Sequence, residues 1–266
     1  MSRIEIRKQL SSEYKELCWK TFFTQKKRGI KFELHFPWFF NADAFFYTIE
    51  IHSGIKLIGG MTLKIEIKNN IRTAIIGLVC IDEDYRGLGY FSLLMNKADE
   101  LMQCENIQLA ILWSGQHHLY KKHGYKLIDH NVLIYIRKKN IIINNAEKKI
   151  EIKHYTLNDK SLPPFAIYQE RLEWDNSYIV YCASEKEFYV IDYECAINDM
   201  CSVMDKLSPN GFYINTTIDQ LSFFYSLRAL LEIKSKDQNI RMIKIFANDN
   251  TEENYNSVDF KLNERI

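Results

Sequence analysis

Glycine and proline are scarce in this chain, 10 and 4 among 266 residues. That scarcity excludes collagen-like and low-complexity architectures and makes any cluster of glycines informative. No Cys-x-x-Cys pair occurs among the six cysteines, Cys18, Cys80, Cys104, Cys182, Cys195 and Cys201, so neither a zinc ribbon nor a thioredoxin-like motif is indicated. They read as reduced, mostly buried thiols, as expected of a cytoplasmic protein. Long apolar runs are missing as well. None approaches the roughly 20 residues of a membrane span, and the opening "MSRIEIRKQLSSEYKEL" lacks the apolar core of a signal peptide. Charge of one sign is not in excess either: 35 basic residues face 34 acidic ones, for a net +1. No overall field draws the chain to nucleic acid or to an anionic membrane, so an anionic ligand must be met by a local arrangement. What is present is 47% hydrophobic and 14% aromatic residues, enough for a sizeable core, at a length that suits two ordinary domains.

The patterning is α/β. "RIEIRKQL" alternates with period two and passes through Ser11 and Ser12 into "SEYKELCWKTFFTQ", a helical pattern capped by serine. "AFFYTIEIHSGIKLIGGMTLKIEIKNNIRTAIIGLVCI" holds three β-rich segments split at His52-Ser53-Gly54 and at Asn69-Asn70, the signature of an antiparallel meander. A helix over about 91–102, an apolar strand "IQLAILWS", a short helix "QHHLYKKHG" ending at Gly124 and one or two strands in "YKLIDHNVLIYIRK" follow. A boundary is expected where charge, asparagine and a Pro-Pro pair interrupt the pattern, dividing the chain into 1–145 and 151–266. Beyond it, "SYIVYCASEKEFYVIDYECAINDMCSVM" reads as two or three strands, "GFYINTTIDQLSFFYSLRALLEIKSK" as a strand and a helix, and "RMIKIFAN" as a last strand. The second lobe is thus also α/β and smaller.

Between the meander and the next helix stands "VCIDEDYRGLGYFSLLM", with Arg86, Gly87 and Gly89 in four positions. A strand entering a glycine-rich turn that opens a helix leaves backbone N–H groups without partners at the positive end of the helix dipole, a setting for phosphate. The plainer alternative is a tight turn with Arg86 as a solvated flank. A P-loop would need Gly-Lys-Ser or Gly-Lys-Thr, but the next lysine is Lys97. A Rossmann turn would need a third glycine where Ser92 stands.

"DYRGLGYFSLLM" resembles the pyrophosphate loop of the GCN5-related N-acetyltransferase (GNAT) superfamily, Arg or Gln, two residues, Gly, one residue, then Gly or Ala. Here it reads Arg86-x-x-Gly89-x-Phe91, with phenylalanine in place of the last small residue. "LYKKHGY" resembles the family's Tyr-x-x-x-Gly-Phe/Tyr segment, in Tyr120, Gly124 and Tyr125. The resemblance covers roughly 1–140 and implies a mixed, mostly antiparallel sheet flanked by helices. It also implies acetyl-CoA as cosubstrate, with no metal. Pantetheine would pair with main-chain groups of Val79, Cys80 and Ile81 as an added strand, and the pyrophosphate would sit on Arg86, Gly87, Leu88, Gly89, Tyr90, Phe91 and Ser92. Ser114 would replace the asparagine the family often places facing the CoA arm. An amine would attack the thioester directly, a backbone N–H would meet the oxyanion, and Tyr120 would act as general acid toward the departing thiolate.

The general base is not identified. Glu50, His52 and Glu66 lie on or beside the meander and read as solvated strand or turn residues. His117, His118 and His123 invite a metal reading, but His118 and His123 lack the i, i+4 spacing that stacks ligands on one helix face. Phe36, Trp38, Phe39 and Phe40 surround Pro37, either as a core under a long loop or as an apolar acceptor surface. The second lobe, without an Arg-x-x-Gly loop, reads as a degenerate unit that shapes the acceptor site or forms a homodimer. The expected partners are a CoA thioester and an amine, and a non-catalytic acyl-CoA sensor or adaptor is the alternative.

Overall fold

The alternating segments of the first half become strands in the computed structural model, which describes residues 2–139, 151–157, 161–246, 255, 258 and 260–265. Strand β1 (Ser2–Arg7) is followed by helix α1 (Ser12–Phe22) and the single turn α2 (Phe32–His35). Ser11 caps α1, its hydroxyl oxygen accepting the Tyr14 N–H at 3.1 Å. The meander is β2 (Phe46–Ser53), β3 (Lys56–Lys68) and β4 (Ile71–Ile81). Its turns use Gly54, Asn69 and Asn70 at positive φ (61°, 53° and 62°), where a short polar side chain or none is tolerated. Helix α3 (Tyr90–Cys104), β5 (Leu109–Trp113), α4 (His117–Lys121) and β6 (Lys126–Leu127) complete this run.

The strands of the second run are β7 (Asn131–Lys138), β8 (Lys153–Thr156), β9 (Tyr168–Trp174), β10 (Ser177–Ala183), β11 (Phe188–Glu194), β12 (Phe212–Thr217), β13 (Leu231–Asp237) and β14 (Arg241–Ile245). Helix α5 (Ile197–Leu207) precedes β12 and α6 (Leu221–Ser226) follows it. Two corrections to the sequence reading arise here. "AINDMCSVM", read with the strands, holds the helix α5, because Ile197, Met200, Cys201 and Met204 recur at helical spacing and are all buried. "LEIKSK", read with a helix, is strand β13, where Leu231 and Ile233 alternate inward.

Two seven-stranded sheets result, ordered β1-β2-β3-β4-β5-β14-β6 and β13-β7-β12-β11-β10-β9-β8. Each is antiparallel apart from one neighbour pair, β4 with β5 and β11 with β12. Read from β8, the second sheet repeats the first strand for strand, with α5 and α6 standing where α3 and α4 stand. Between β8 and β9 the described residues hold no counterpart of α1 and α2.

Each sheet is completed by a strand from the other's run. Strand β14 lies between β5 and β6, while β7, which follows β6 in the chain, pairs with β12 and β13. The units are therefore Met1–Asp129 with Ile240–Phe260 and Glu264–Ile266, and His130–Asn239 with Lys261–Asn263. This differs from the expected division; residues 140–150, where that boundary was drawn, lie outside the described residues. Side-chain pattern explains the exchange. Met242 and Ile243 are both buried, on opposite sides of β14, which suits a strand covered on both faces, whereas β7 buries Val132, Ile134 and Ile136 and leaves Leu133 and Tyr135 only half-buried.

In the first unit one face packs Ile49, Met61 and Ile76 against Leu94, Met95, Ala98 and Met102 of α3. The other packs Phe46, Leu78 and Cys80 against Tyr14 and Cys18 of α1 and the ring cluster Phe36, Trp38 and Phe39. The aromatic segment is thus core for those three rings, and Phe40 alone is largely exposed, at 56%. No described helix is long and apolar enough to cross a membrane.

Candidate active site

Strands β4 and β5 pair in parallel only from Thr73 to Ile75 against Leu109 to Ile111. Past that point β5 keeps β14 as its neighbour while β4 runs on to Ile81, so one edge of β4 is open among the described residues. The β3–β4 register passes from Thr62↔Gly77 to Gly60↔Cys80, leaving Leu78 and Val79 opposite the single residue Met61. This is a β-bulge, and it switches faces. Ala74 and Ile76 point to the α3 side before it, whereas Leu78 and Cys80 point to the α1 side after it, with Val79 and Ile81 turned to α3.

Leu78 sits at φ +52°, a left-handed conformation that costs a non-glycine residue about 1–2 kcal/mol. Its carbonyl accepts the Tyr14 hydroxyl at 2.8 Å in a fully buried contact, and a buried hydrogen bond of this kind offsets about 1 kcal/mol.

The β4–α3 connection begins at Asp82, whose Oδ1 accepts the Asp84 N–H at 3.2 Å and whose other oxygen lies 3.3 Å from the Lys56 ammonium. One turn of 3₁₀-helix, Glu83–Tyr85, leads to Arg86. The Arg86 Nε donates to the Ile81 carbonyl at 3.1 Å, which ties the side chain back toward the end of β4, and its Nη2 lies 3.9 Å from Glu83. Gly87 and Gly89 have φ of +77° and +86°, and a Cβ built on either meets nothing within 4 Å. Glycine is required there by backbone conformation, and the space beside it is open to a guest.

Gly89 precedes α3 with no side-chain oxygen to cap it, and no acidic residue stands in the first turn. The first bond of the helix runs from Leu93 N–H to Gly89 C=O at 3.2 Å, so the N–H groups of Tyr90, Phe91 and Ser92 lie ahead of it. This arrangement suits an anion.

Phe91, the departure from the family pattern, is half-buried and turns its ring toward α4. It meets Tyr120 edge-on at 5.3 Å and His123 at 5.7 Å. The ring thereby joins the two motif segments. Tyr120 is 8% exposed; burial pushes its phenol up to about 12, against the opposite pull of a hydrogen bond with the Ser114 side chain. The Ser114 Oγ also accepts the Gln116 N–H at 3.0 Å, which fixes it at the end of β5. Gly124, at φ +83°, closes α4 and lets the chain return to the buried Tyr125.

Of the residues expected to meet the cosubstrate, Arg86, Gly87, Leu88, Gly89 and Ser92 are exposed, and Val79, Ile81, Tyr90, Phe91 and Ser114 are half-buried. Cys80 is buried, its sulfur 3.9 Å from that of Cys18, so only its main chain remains for a ligand. Sequence reasoning missed Tyr14, Gly60 and the bulge at Leu78. The sole trace of a bulge in the sequence is that "GLVC" breaks the inward alternation of β4.

Glu50 and His52 are not solvated, as had been expected, but 1% and 8% exposed. Glu50 accepts from Ser11 at 2.8 Å and Thr48 at 3.2 Å and lies 3.6 Å from Arg7 Nε and His52 Nε2. It is committed to holding the start of α1. Glu66 is half-buried beside Lys64. Burial holds the His123 imidazole below its usual range, against the pull of Asp99.

Residues 58–128 match the family model described as Acetyltransferase (GNAT) domain. Among solved structures, the chain is similar to a conserved protein of unknown function from Enterococcus faecalis described as a probable N-acyltransferase, at 12% identity, TM-score 0.65, over 92% of this chain and 73% of that one. A GCN5-related N-acetyltransferase from Anabaena variabilis is similar at 14% identity and TM-score 0.62, over 91% and 73%. A tandem GNAT protein from the clavulanic acid biosynthesis pathway is similar at 8% identity and TM-score 0.59, over 93% of this chain and all of that one (100%). No curated protein sequence matches the chain. With the loop, the parted strands and the doubled sheet order all in place, residues 58–128 match the GNAT domain model and the chain has the fold of two GNAT-like lobes.

Proposed function

We propose that the protein transfers an acyl group, in the simplest case acetyl, from a CoA thioester to an amine. One observation carries the reading: the open edge of β4 leads directly into a glycine-shaped, uncapped start of α3. On this proposal, main-chain groups of Val79, Cys80 and Ile81 pair with the pantetheine amides, as a strand edge pairs with an added strand. The N–H groups from Gly87 to Ser92 receive the pyrophosphate at the positive end of α3, with Arg86 as a cation beside them. The thioester supplies an acyl carbon already activated for attack by a neutral amine, and a backbone N–H of the bulge meets the oxygen on which charge develops.

As the C–S bond breaks, the attacking nitrogen releases its proton to solvent and Tyr120 supplies the proton to the departing sulfur, its phenol then being reprotonated from solvent. Because burial keeps its phenol protonated to about pH 12, it is a donor throughout the neutral range. Ser114 is proposed to orient that hydroxyl, a sharper role than a contact to the CoA arm. Phe91, the departure from the loop pattern, packs on Tyr120 and leaves the open side of Gly87 and Gly89 clear. In the second unit β11 reaches α5 without a glycine, and no CoA is assigned there.

The test is calorimetry of the full chain with CoA, followed by thiol release from acetyl-CoA across simple amines, peptides and aminoglycosides. Saturable binding with amine-dependent release is expected. Binding without release of thiol by any amine would instead favour a sensor, and absence of binding would remove the assignment of the loop.

A further inference from the structure

The bulge in β4 needs something to hold it, since a leucine at φ +52° reverts to ordinary strand geometry unless its surroundings fix it. The residue that does so lies on another element. Tyr14 of α1 is 0% exposed, and its hydroxyl meets the Leu78 carbonyl at 2.8 Å and Thr62 Oγ1 at 3.1 Å, while the Cys18 thiol, 3.9 Å from the same carbonyl, is a weaker second donor to it. Thr62 is the last residue of β3 in regular register before the bulge.

Room for the ring is made by Gly60, where a Cβ would fall 2.7 and 2.8 Å from two atoms of the Tyr14 ring. Gly60 is also the residue at which regular register with β4 resumes, opposite Cys80. The brace therefore spans the irregular stretch, with its ring over one end and its hydroxyl anchored at the other.

Peptide geometry turns this brace into a directional constraint. Among the described residues there is no cis peptide bond, so the Leu78 C=O and the Val79 N–H share one planar trans unit and point in opposite directions. Holding the carbonyl toward α1 turns the Val79 N–H away from α1, on the strand whose β5-facing edge is open. Val79 also has no one-to-one partner in the β3 register, sharing Met61 with Leu78.

We infer that Tyr14 is a positioning residue, which aims the Val79 N–H by gripping the carbonyl of the same peptide and so sets the donor that meets the developing oxyanion. The role rests on the acyltransferase reading for its catalytic part. Its structural part does not. The sequence gives no hint of it, because Tyr14 reads as one more apolar position of an amphipathic helix.

Tyr14→Phe keeps the ring that fills the space over Gly60 and removes only the hydroxyl. Thr62→Val removes the other partner of that hydroxyl and leaves the grip on Leu78, which makes it the matched control. In ¹⁵N-labelled full-length protein, Tyr14→Phe should shift the Val79 amide resonance and speed its hydrogen exchange about tenfold, while Thr62→Val leaves both near wild type. In thiol release, Tyr14→Phe should lower kcat about tenfold with the Kd for CoA held within about twofold, part of what an oxyanion donor contributes.

An unmoved Val79 amide overturns the inference whatever the kinetics. Equal effects of the two variants, or a parallel loss of kcat and CoA affinity, reduce Tyr14 to a packing residue and also overturn it. A Val79 amide that moves in a protein that binds no CoA leaves the brace standing and removes the acyltransferase reading.

Discussion

The two units present the same junction in two states. In the first, β4 and α3 are separated by Asp82 to Gly89, with two glycines at positive φ and no acid in the first turn of the helix. In the second, β11 and α5 are separated by Cys195 and Ala196 alone. Ala196 has an ordinary extended conformation, and Asp199 stands in the first turn. Both strands have a register irregularity next to the same neighbour, between Gly60 and Thr62 in one sheet and Val180 and Tyr181 in the other. The topology of the fold thus survives without the loop, whereas the glycine-shaped, uncapped helix start proposed to receive an anion does not. An aspartate near a helix start already satisfies the dipole that a phosphate would use.

Four experiments would break or sharpen this comparison. The largest effect is expected from deleting residues 240–266. That truncation removes β14 from between β5 and β6, so the first unit should lose cooperative unfolding by circular dichroism and all CoA heat, even though every residue proposed to bind CoA is retained. Next, Gly89→Trp should abolish the calorimetric CoA signal, since it forces a bulky residue into the left-handed region and fills the open space beside it. Ala196→Trp, at the matching place in the second unit, should leave that signal unchanged.

Third, Tyr120→Phe should slow thiol release about 100-fold, the low end of what a general acid contributes, with CoA affinity unchanged. In the wild type the alkaline limb of the rate profile should not fall between pH 8 and about 10, because the phenol is held up to about 12. A loss centred near pH 10 would show that the proton donor is an ordinary exposed tyrosine.

The smallest effect is on stability. Burial raises the phenols of Tyr14, Tyr120 and Tyr125 in the folded state above the roughly 10 of an unfolded chain. Below that value both states hold the proton and stability is unaffected. As pH climbs from about 10 toward 12 the unfolded chain ionises first, so Tm should decline progressively over that window. The decline should be shallower in Tyr120→Phe.

Much of the first unit was legible because its signals are local. The strand alternation, the serine cap, the Asn-Asn and His-Ser-Gly turns and the Arg-Gly-x-Gly junction each act within a few residues. The exchange of β7 and β14 was not legible, since either strand can satisfy a generic edge and the choice depends on which faces are covered once both sheets exist. The burial of Glu50 was missed for a related reason. A carboxylate in an alternating strand reads as solvent-facing, and only the approach of Arg7 and Ser11 from other elements, joined by His52 of the same strand, makes its burial affordable in the fold. The bulge brace combines both difficulties, with one partner on α1 and the other on β4.

The exchanged strand also sets a timetable. During synthesis the first unit has all of β1 to β6 in hand by residue 129, yet the strand that fills the space between β5 and β6 is read out only at residues 241–245. At about 5–20 residues per second, the ribosome leaves that space open for roughly 6 to 23 s. Throughout the interval the apolar edge of β5 stands exposed in the nascent chain, so the domain proposed to hold the active site is among the last parts of the protein to close.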